Sequence, residues 1–296
     1  MGLIDIGANL AHESFDADFE PMLHRAWQAG LEAIVITGSS FDSNARALAL
    51  ARQHPGRLYA TAGLHPHHAS EWSGELAAQI RELSGHPEVV SLGECGLDYN
   101  RNYSPHEDQR RAFEAQLRIA VETGKPLFLH QRDAHADFLA MLREFRPQLG
   151  AVVVHCFTDT REAMQDYLAL DCHIGITGWV CDERRGKALV EAVPGIPDER
   201  LLIETDAPYL LPRNALHRDV RVPQVQDALE RPLHRDERVP RAQDALEWRP
   251  RQGERRNEPA ALRWVVKALA QARQQSEQHV AAVSSDNARR FFRLGA

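Results

Sequence analysis

Eight short apolar runs recur along this chain of 296 residues with amphipathic segments between them, and that alternation leaves few folds open. The runs are Leu3–Ile6, Ala33–Ile36, Leu58–Ala62, Val89–Leu92, Pro126–Leu129, Ala151–Val154, His173–Ile176 and Leu201–Ile203. Helical spacing fills intervals such as Phe41–Arg52, Glu75–Leu83, Pro105–Glu122, Ala134–Phe145 and Arg161–Leu168. Strands alternating with helices over this length predict an α/β fold, a single-domain TIM-type (β/α)8 barrel. A doubly wound open sheet is the alternative.

The polar residues decide between the two, because they cluster just after the apolar runs. Gly7 and Asn9 follow the first run, His65 and His67 the third, and Glu94 and Asp98 the fourth. Then come His130 and Arg132, His155, Thr177 and Trp179, and finally Glu204 and Asp206. A barrel gathers all its strand ends around one axis, whereas an open sheet spreads them apart. Within Val89–Asp98, Glu94 stands between Gly93 and the pair Cys95-Gly96; the glycines strip bulk from around the carboxylate, which suggests close approach of a ligand. A carboxylate at the rim of a core needs a partner.

Glu94, His130, His155 and Asp206 supply that partner if they share an ion. Leu127-Phe128-Leu129 leads into His130, Val152-Val153-Val154 into His155, and Ile203 precedes Glu204-Thr205-Asp206. Mixed imidazole and carboxylate donors suit Zn²⁺, Mn²⁺, Fe²⁺ or, with more retained water, Mg²⁺. Such a site makes hydroxide available near neutral pH, and Asp206 could accept the proton of the water. No G-x-S-x-G elbow, G-x-x-x-x-G-K-[ST] loop or G-x-G-x-x-G turn is present to support another chemistry.

The formal net charge of −7 argues against a broadly basic surface for duplex DNA, but not against local contacts aided by a metal. Cys95, Cys156, Cys172 and Cys181 lack C-x-x-C spacing and read as reduced, mostly buried thiols. No membrane span or signal peptide is legible, so cytoplasm is the expected compartment. From Arg213 to Arg256 the apolar periodicity stops and arginine alternates with acid. Leu216-His217-Arg218-Asp219 recurs as Leu233-His234-Arg235-Asp236 within that segment, which reads as a solvated insertion in the barrel.

Asp5-Ile6-Gly7-Ala8-Asn9-Leu10, Gly63-Leu64-His65-Pro66-His67, Gly93-Glu94-Cys95-Gly96-Leu97-Asp98, His130-Gln131-Arg132-Asp133-Ala134, His155-Cys156-Phe157-Thr158, Glu204-Thr205-Asp206-Ala207-Pro208-Tyr209-Leu210 and Arg256-Asn257-Glu258-Pro259 together resemble the TatD family of metal-dependent deoxyribonucleases. The resemblance spans nearly the whole chain and omits only the arginine-rich segment. It implies a TIM-barrel metallohydrolase of phosphodiesters. For the branch most resembled, it implies a Mg²⁺-dependent 3′→5′ exonuclease on single-stranded DNA or RNA ends, with Mn²⁺ or Zn²⁺ as other candidate ions. Carried over by position, Glu94, His130 and His155 would bind metal, Asp206 would bind metal or the attacking water, and His65 would sit beside the scissile phosphate. Many relatives carry H-x-H after the first strand; here those positions are Gly7 and Asn9, so one firmly held ion is expected, with a second recruited by substrate.

For the nucleic acid itself, Arg132 is the leading phosphate contact, with His67 beside it, and an ion pair with Asp133 or Asp98 is the structural alternative. Tyr99, Tyr103, Phe157, Trp179 and Tyr209 are candidates to stack on bases, and Arg184-Arg185-Gly186-Lys187 for a backbone clamp. A monomer without a membrane partner is expected. The competing functions are an amidohydrolase or esterase on the same barrel, such as an aminoacyl-tRNA deacylase, and a non-catalytic binding module. Lys125 precedes its apolar run rather than ending it, which argues against a carboxylated-lysine amidase.

Overall fold

The structure, a computed structural model, describes residues 2–215 and 255–295. Eight parallel strands pair in sequence order: β1 (Leu3–Ala8), β2 (Leu31–Ile36), β3 (Leu58–Ala62), β4 (Val89–Asp98), β5 (Leu127–Arg132), β6 (Val152–Val154), β7 (His173–Ile176) and β8 (Leu201–Ile203). Around them run α1 (Phe19–Gln28), α2 (Phe41–Gln53), α3 (Gly74–Ser84), α4 (His106–Thr123), α5 (His135–Phe145), α6 (Arg161–Ala169) and α7 (Lys187–Ala192), followed by α8 (Leu262–Arg273) and α9 (Glu277–Phe292). Strands covered by helices outside and packed against one another inside have no wet face, which is why they read as continuous apolar runs. Ser40, Ser73, Thr160 and Ser276 start α2, α3, α6 and α9 by accepting a backbone N–H of the first turn.

Side chains inside the barrel follow the two-residue period of a strand. Ile4, Ile6, Ala33, Val35, Val90, Phe128, Val153 and Leu202 form its interior core, and Phe291 and Phe292 of α9 join the same cluster. Two residues beyond Phe128, Val153 and Leu202 come His130, His155 and Glu204. The alternation that buries the interior core therefore also aims these three inward at the C-terminal mouth.

The ring closes between β1 and the chain leaving β8. Asp206 N–H donates to the Gly7 carbonyl at 2.8 Å and Asn9 N–H to the Ala207 carbonyl at 2.6 Å. Asp5, fully buried, seals the same seam: Oδ1 accepts from Thr205 N–H at 3.0 Å and Gly7 N–H at 3.2 Å, and Oδ2 pairs with the Thr205 hydroxyl at 2.5 Å. Burial pushes the Asp5 carboxyl up to about 8, against the pull of these bonds.

Two strands run further than their apolar runs suggest. β4 continues to Asp98 and β5 to Arg132, so Glu94 and His130 lie within strands rather than after them. Gly93 and Gly96 also serve another purpose than ligand approach. A Cβ on Gly93 would lie 2.1 Å from the Phe128 carbonyl oxygen, and one on Gly96 1.9 Å from that of His130. Glycine is required because β4 presses its backbone against β5.

Both ends of the arginine-rich segment belong to the folded body. Arg213–Ala215 forms a turn whose Ala215 is buried with Ala261 and Trp264, and Arg256 grips Asp18 at 2.6 Å. Residues 216–254, including the internal repeat, lie outside the described residues. No described helix is long and apolar enough to cross a membrane.

Candidate metal centre

Three imidazoles meet on one oxygen at the mouth of the barrel. Glu94 Oε1 lies 2.8 Å from His155 Nε2, 3.0 Å from His130 Nδ1 and 3.2 Å from His65 Nε2. Glu94 is 5% exposed. Its burial pushes the carboxyl up, but His65, His155 and His130 more than reverse this and hold it well below the usual carboxylate range. The Glu94 N–H donates to the Gly38 carbonyl at 2.7 Å, fixing the strand at this point.

The outer nitrogens distinguish the three histidines. His130 Nε2 faces Asp98 Oδ2 at 3.2 Å, and His155 Nδ1 faces Glu204 Oε2 at 3.3 Å. Burial lowers both imidazoles, yet the carboxylates on either side win: His130 is raised, by Asp98 and Glu94, and His155 is raised well above its ordinary value, by Glu94 and Glu204. A ring whose outer N–H is taken by a carboxylate presents its inner nitrogen as a metal donor. His65 differs. Its Nδ1 accepts the backbone N–H of His67 at 3.1 Å, and burial pushes the ring down to about 4, so it is neutral with its proton on Nε2. His65, Glu94 and His130 lie close enough to share an ion, with donor atoms within 4.8 Å of one another. In that tautomer, however, His65 has no free lone pair and acts as a hydrogen-bond donor. His130 belongs to that cluster with Glu94, and His155 Nε2 reaches the same Glu94 oxygen at 2.8 Å.

Asp206 comes from the loop after β8, and its Oδ1 accepts from the Asn9 side-chain amide at 2.9 Å. Burial raises its carboxyl to about 7; His155 opposes this, and the charges of Glu94 and Glu204 reinforce it. A carboxyl poised there exchanges protons at neutral pH. Asn9 thus bonds the carboxylate where an H-x-H motif would offer an imidazole.

Sequence reasoning named Asp98 and Glu204 without assigning either a place in the site. Both are buried, at 2% and 0% exposure, and both reach a histidine. Glu204 was readable as the inward residue two places beyond Leu202. For Asp98 no comparable clue exists in the sequence, since only the folded β4–β5 pairing sets it opposite Arg132.

The expected substrate contacts are placed unevenly. Arg132 lies 5.6 Å from the centre of the Trp179 ring, with Arg185 at 4.7 Å from the same ring. Arg132 makes no ion pair among the described residues. Asp98 instead takes the backbone N–H groups of Asn100 and Arg101 and meets His67 at 2.9 Å, while Asp133 accepts from Asn100 at 2.7 Å. His67 is therefore tied to Asp98 rather than free. Tyr99 is also engaged: its hydroxyl bonds Asp137 at 2.7 Å and His106 stacks on its ring at 3.6 Å. Of the candidate stacking residues, Tyr103, edge-on to His67 at 4.7 Å, and Tyr209, edge-on to His12 at 6.0 Å, are exposed. Phe157 is buried in the main core. Lys125 donates to the Val89 carbonyl at 2.6 Å, beside the start of β4 and far along the strand from Glu94, so it gives an amidase no lysine at the mouth.

A closed parallel barrel with imidazoles and carboxylates converging at its C-terminal mouth defines a metal-dependent hydrolase. Comparison with known proteins narrows the class. The family described as TatD related DNase matches residues 4–293. A protein of Erwinia tasmaniensis named 3′-5′ ssDNA/RNA exonuclease TatD is 45% identical over 292 residues, covering 99% of this chain and 100% of its own length. A protein of Pantoea vagans with the same name is also 45% identical over 292 residues, with the same coverage. Among solved structures, a TatD family hydrolase from Entamoeba histolytica superposes with a TM-score of 0.79 at 25% identity over 98% of both chains. A TatD homolog from Escherichia coli K12 gives 0.77 at 26% identity, again over 98% of each. The chain belongs to the TatD-related DNase family and is a metal-dependent nuclease.

Proposed function

We propose that the protein trims single-stranded DNA and RNA from the 3′ end, hydrolysing the terminal phosphodiester with Mg²⁺ as its working ion. One observation carries the reading: His130 Nδ1 and His155 Nε2 both point at Glu94 Oε1, within 3.0 Å, in a chain 45% identical along its length to relatives named 3′-5′ ssDNA/RNA exonuclease. Glu94, His130 and His155 would hold the ion, with Asp206 at its edge. The bound ion lowers the pKa of water and offsets phosphate charge.

The protein's own groups do the rest. Asp206 takes the proton of the attacking water on Oδ2 while Asn9 holds Oδ1. His65 donates Nε2–H to a phosphate oxygen, which needs no protonation change because the ring is already neutral. Arg132, without a competing carboxylate, meets the backbone phosphate, and Trp179 offers a stacking face. Tyr99 does not join them, since its ring and hydroxyl are occupied. With no side chain at Gly7 and with Asn9 bonded to Asp206, one ion is held firmly and a second enters only with substrate. Every group named comes from one chain, so a monomer suffices.

The test uses 5′-labelled oligonucleotides, single- and double-stranded, with Mg²⁺, Mn²⁺ and Zn²⁺ in turn. A ladder descending from full length on the single strand supports 3′→5′ trimming. Immediate release of label as a mononucleotide overturns the polarity, and a label-retaining internal cut overturns exonuclease action.

A further inference from the structure

Glu204 is a fully buried carboxylate inside the barrel, and the reaction as described gives it no task. Both its oxygens accept: Oε1 takes the Cys156 backbone N–H at 2.6 Å, and Oε2 faces His155 Nδ1 at 3.3 Å. Its space is reserved by two glycines on different strands. A Cβ on Gly7 would lie 2.5 Å from Glu204 Oε2, and one on Gly175 2.6 Å from Oε1. The Gly7 Cβ would also lie 2.7 Å from Phe128 Cζ. A buried charge is tolerated only when its lone pairs are met, and here both donors come from one dipeptide, His155-Cys156.

We propose that Glu204 is the positioning carboxylate of the metal centre. It claims the proton of His155 on Nδ1 and thereby leaves the lone pair of Nε2 for the ion. Gly7 is side-chain-free in this chain because the carboxylate occupies that volume. The proposal rests on the reading that His155 ligates the ion, and it goes beyond that reading by naming what holds the ring in its ligating tautomer.

The chemistry of Glu204→Gln makes the point testable. Glutamine has one acceptor for two donors. If its oxygen keeps the Cys156 N–H, its NH₂ confronts Nδ1, and the neutral imidazole must move its proton to Nε2. The ligand lone pair is then lost from the metal-facing atom without any change in side-chain size.

The experiment measures Mn²⁺ affinity by calorimetry and the His155 tautomer by ¹⁵N NMR of histidine-labelled protein, at a pH where the ring is neutral. Glu204→Gln should weaken Mn²⁺ binding by about 10- to 100-fold, the range for loss of an orienting partner, and shift the proton from Nδ1 to Nε2. An affinity within twofold of wild type with the tautomer unchanged overturns the proposal. Should that variant not fold, Gly7→Ala pushes the carboxylate off His155 and is expected to weaken Mn²⁺ binding likewise; undiminished affinity there overturns it too. Wild-type protein that binds no Mn²⁺ would instead defeat the underlying metal reading, so the two failures are distinguishable.

Discussion

The backbone N–H of His67 donates to Nδ1 of His65 at 3.1 Å, and this bond decides what His65 can do. A ring so held keeps its proton on Nε2 and donates it. His65→Ala should leave metal affinity close to wild type and lower kcat by about 10²–10³, the scale for loss of one donor to a developing negative charge. Calorimetry with Mn²⁺ beside single-turnover kinetics checks this. A large loss of affinity would make His65 a ligand instead.

Asp206 should reveal itself in the pH profile. Its carboxyl is raised to about 7 by burial, so its proton-accepting form is gained as pH rises through neutrality. The rate of nucleotide release should climb between pH 6 and 8, roughly one unit either side of that value. Asp206→Asn should flatten the climb and cost about 10²–10⁴ in rate.

Metal binding must compete with protons. His130 and His155 are both raised, His155 well above its ordinary value, because carboxylates face both nitrogens of each ring. A divalent ion can bind only as protons leave, so affinity should rise with pH. Calorimetry in two buffers of different ionisation enthalpy should show proton release. Identical heats in both would contradict it.

The seam between β1 and β8 depends on Asp5. Asp5→Ala leaves two buried backbone N–H groups unpaired and should cost roughly 2–5 kcal/mol in urea unfolding. Asp5→Asn, which keeps an acceptor for them, should cost far less. Because the folded carboxyl is raised from 3.8 to about 8, its contribution is fully present below 3.8 and is lost as pH rises toward 8. Asp5→Asn should remove that part of the pH dependence.

Much of this was legible in the residues because strand periodicity is strict. Phe128 and Val153 announce His130 and His155 two places on, and the eight apolar runs announce the barrel. What stayed hidden depends on contacts across the axis. Nothing local marks Gly7 and Gly175 as room for Glu204, since strands remote in sequence bring them together. Gly93 and Gly96 looked like space for a ligand, and only the closeness of β5 shows otherwise. Tyr99, favoured for stacking over Tyr103 four residues on, is instead engaged by His106 and Asp137, and it is Tyr103 that stays exposed.

The central claim is that Glu94, with His130 and His155, holds the ion on which hydrolysis depends. The most direct measurement pairs Mn²⁺ calorimetry with release of nucleotides from a 5′-labelled single strand, for wild type and Glu94→Ala purified identically. Wild type should show a single tight Mn²⁺ site and a descending ladder, with both abolished in Glu94→Ala. A Glu94→Ala protein that still binds Mn²⁺ and still trims the strand at the wild-type rate would contradict it.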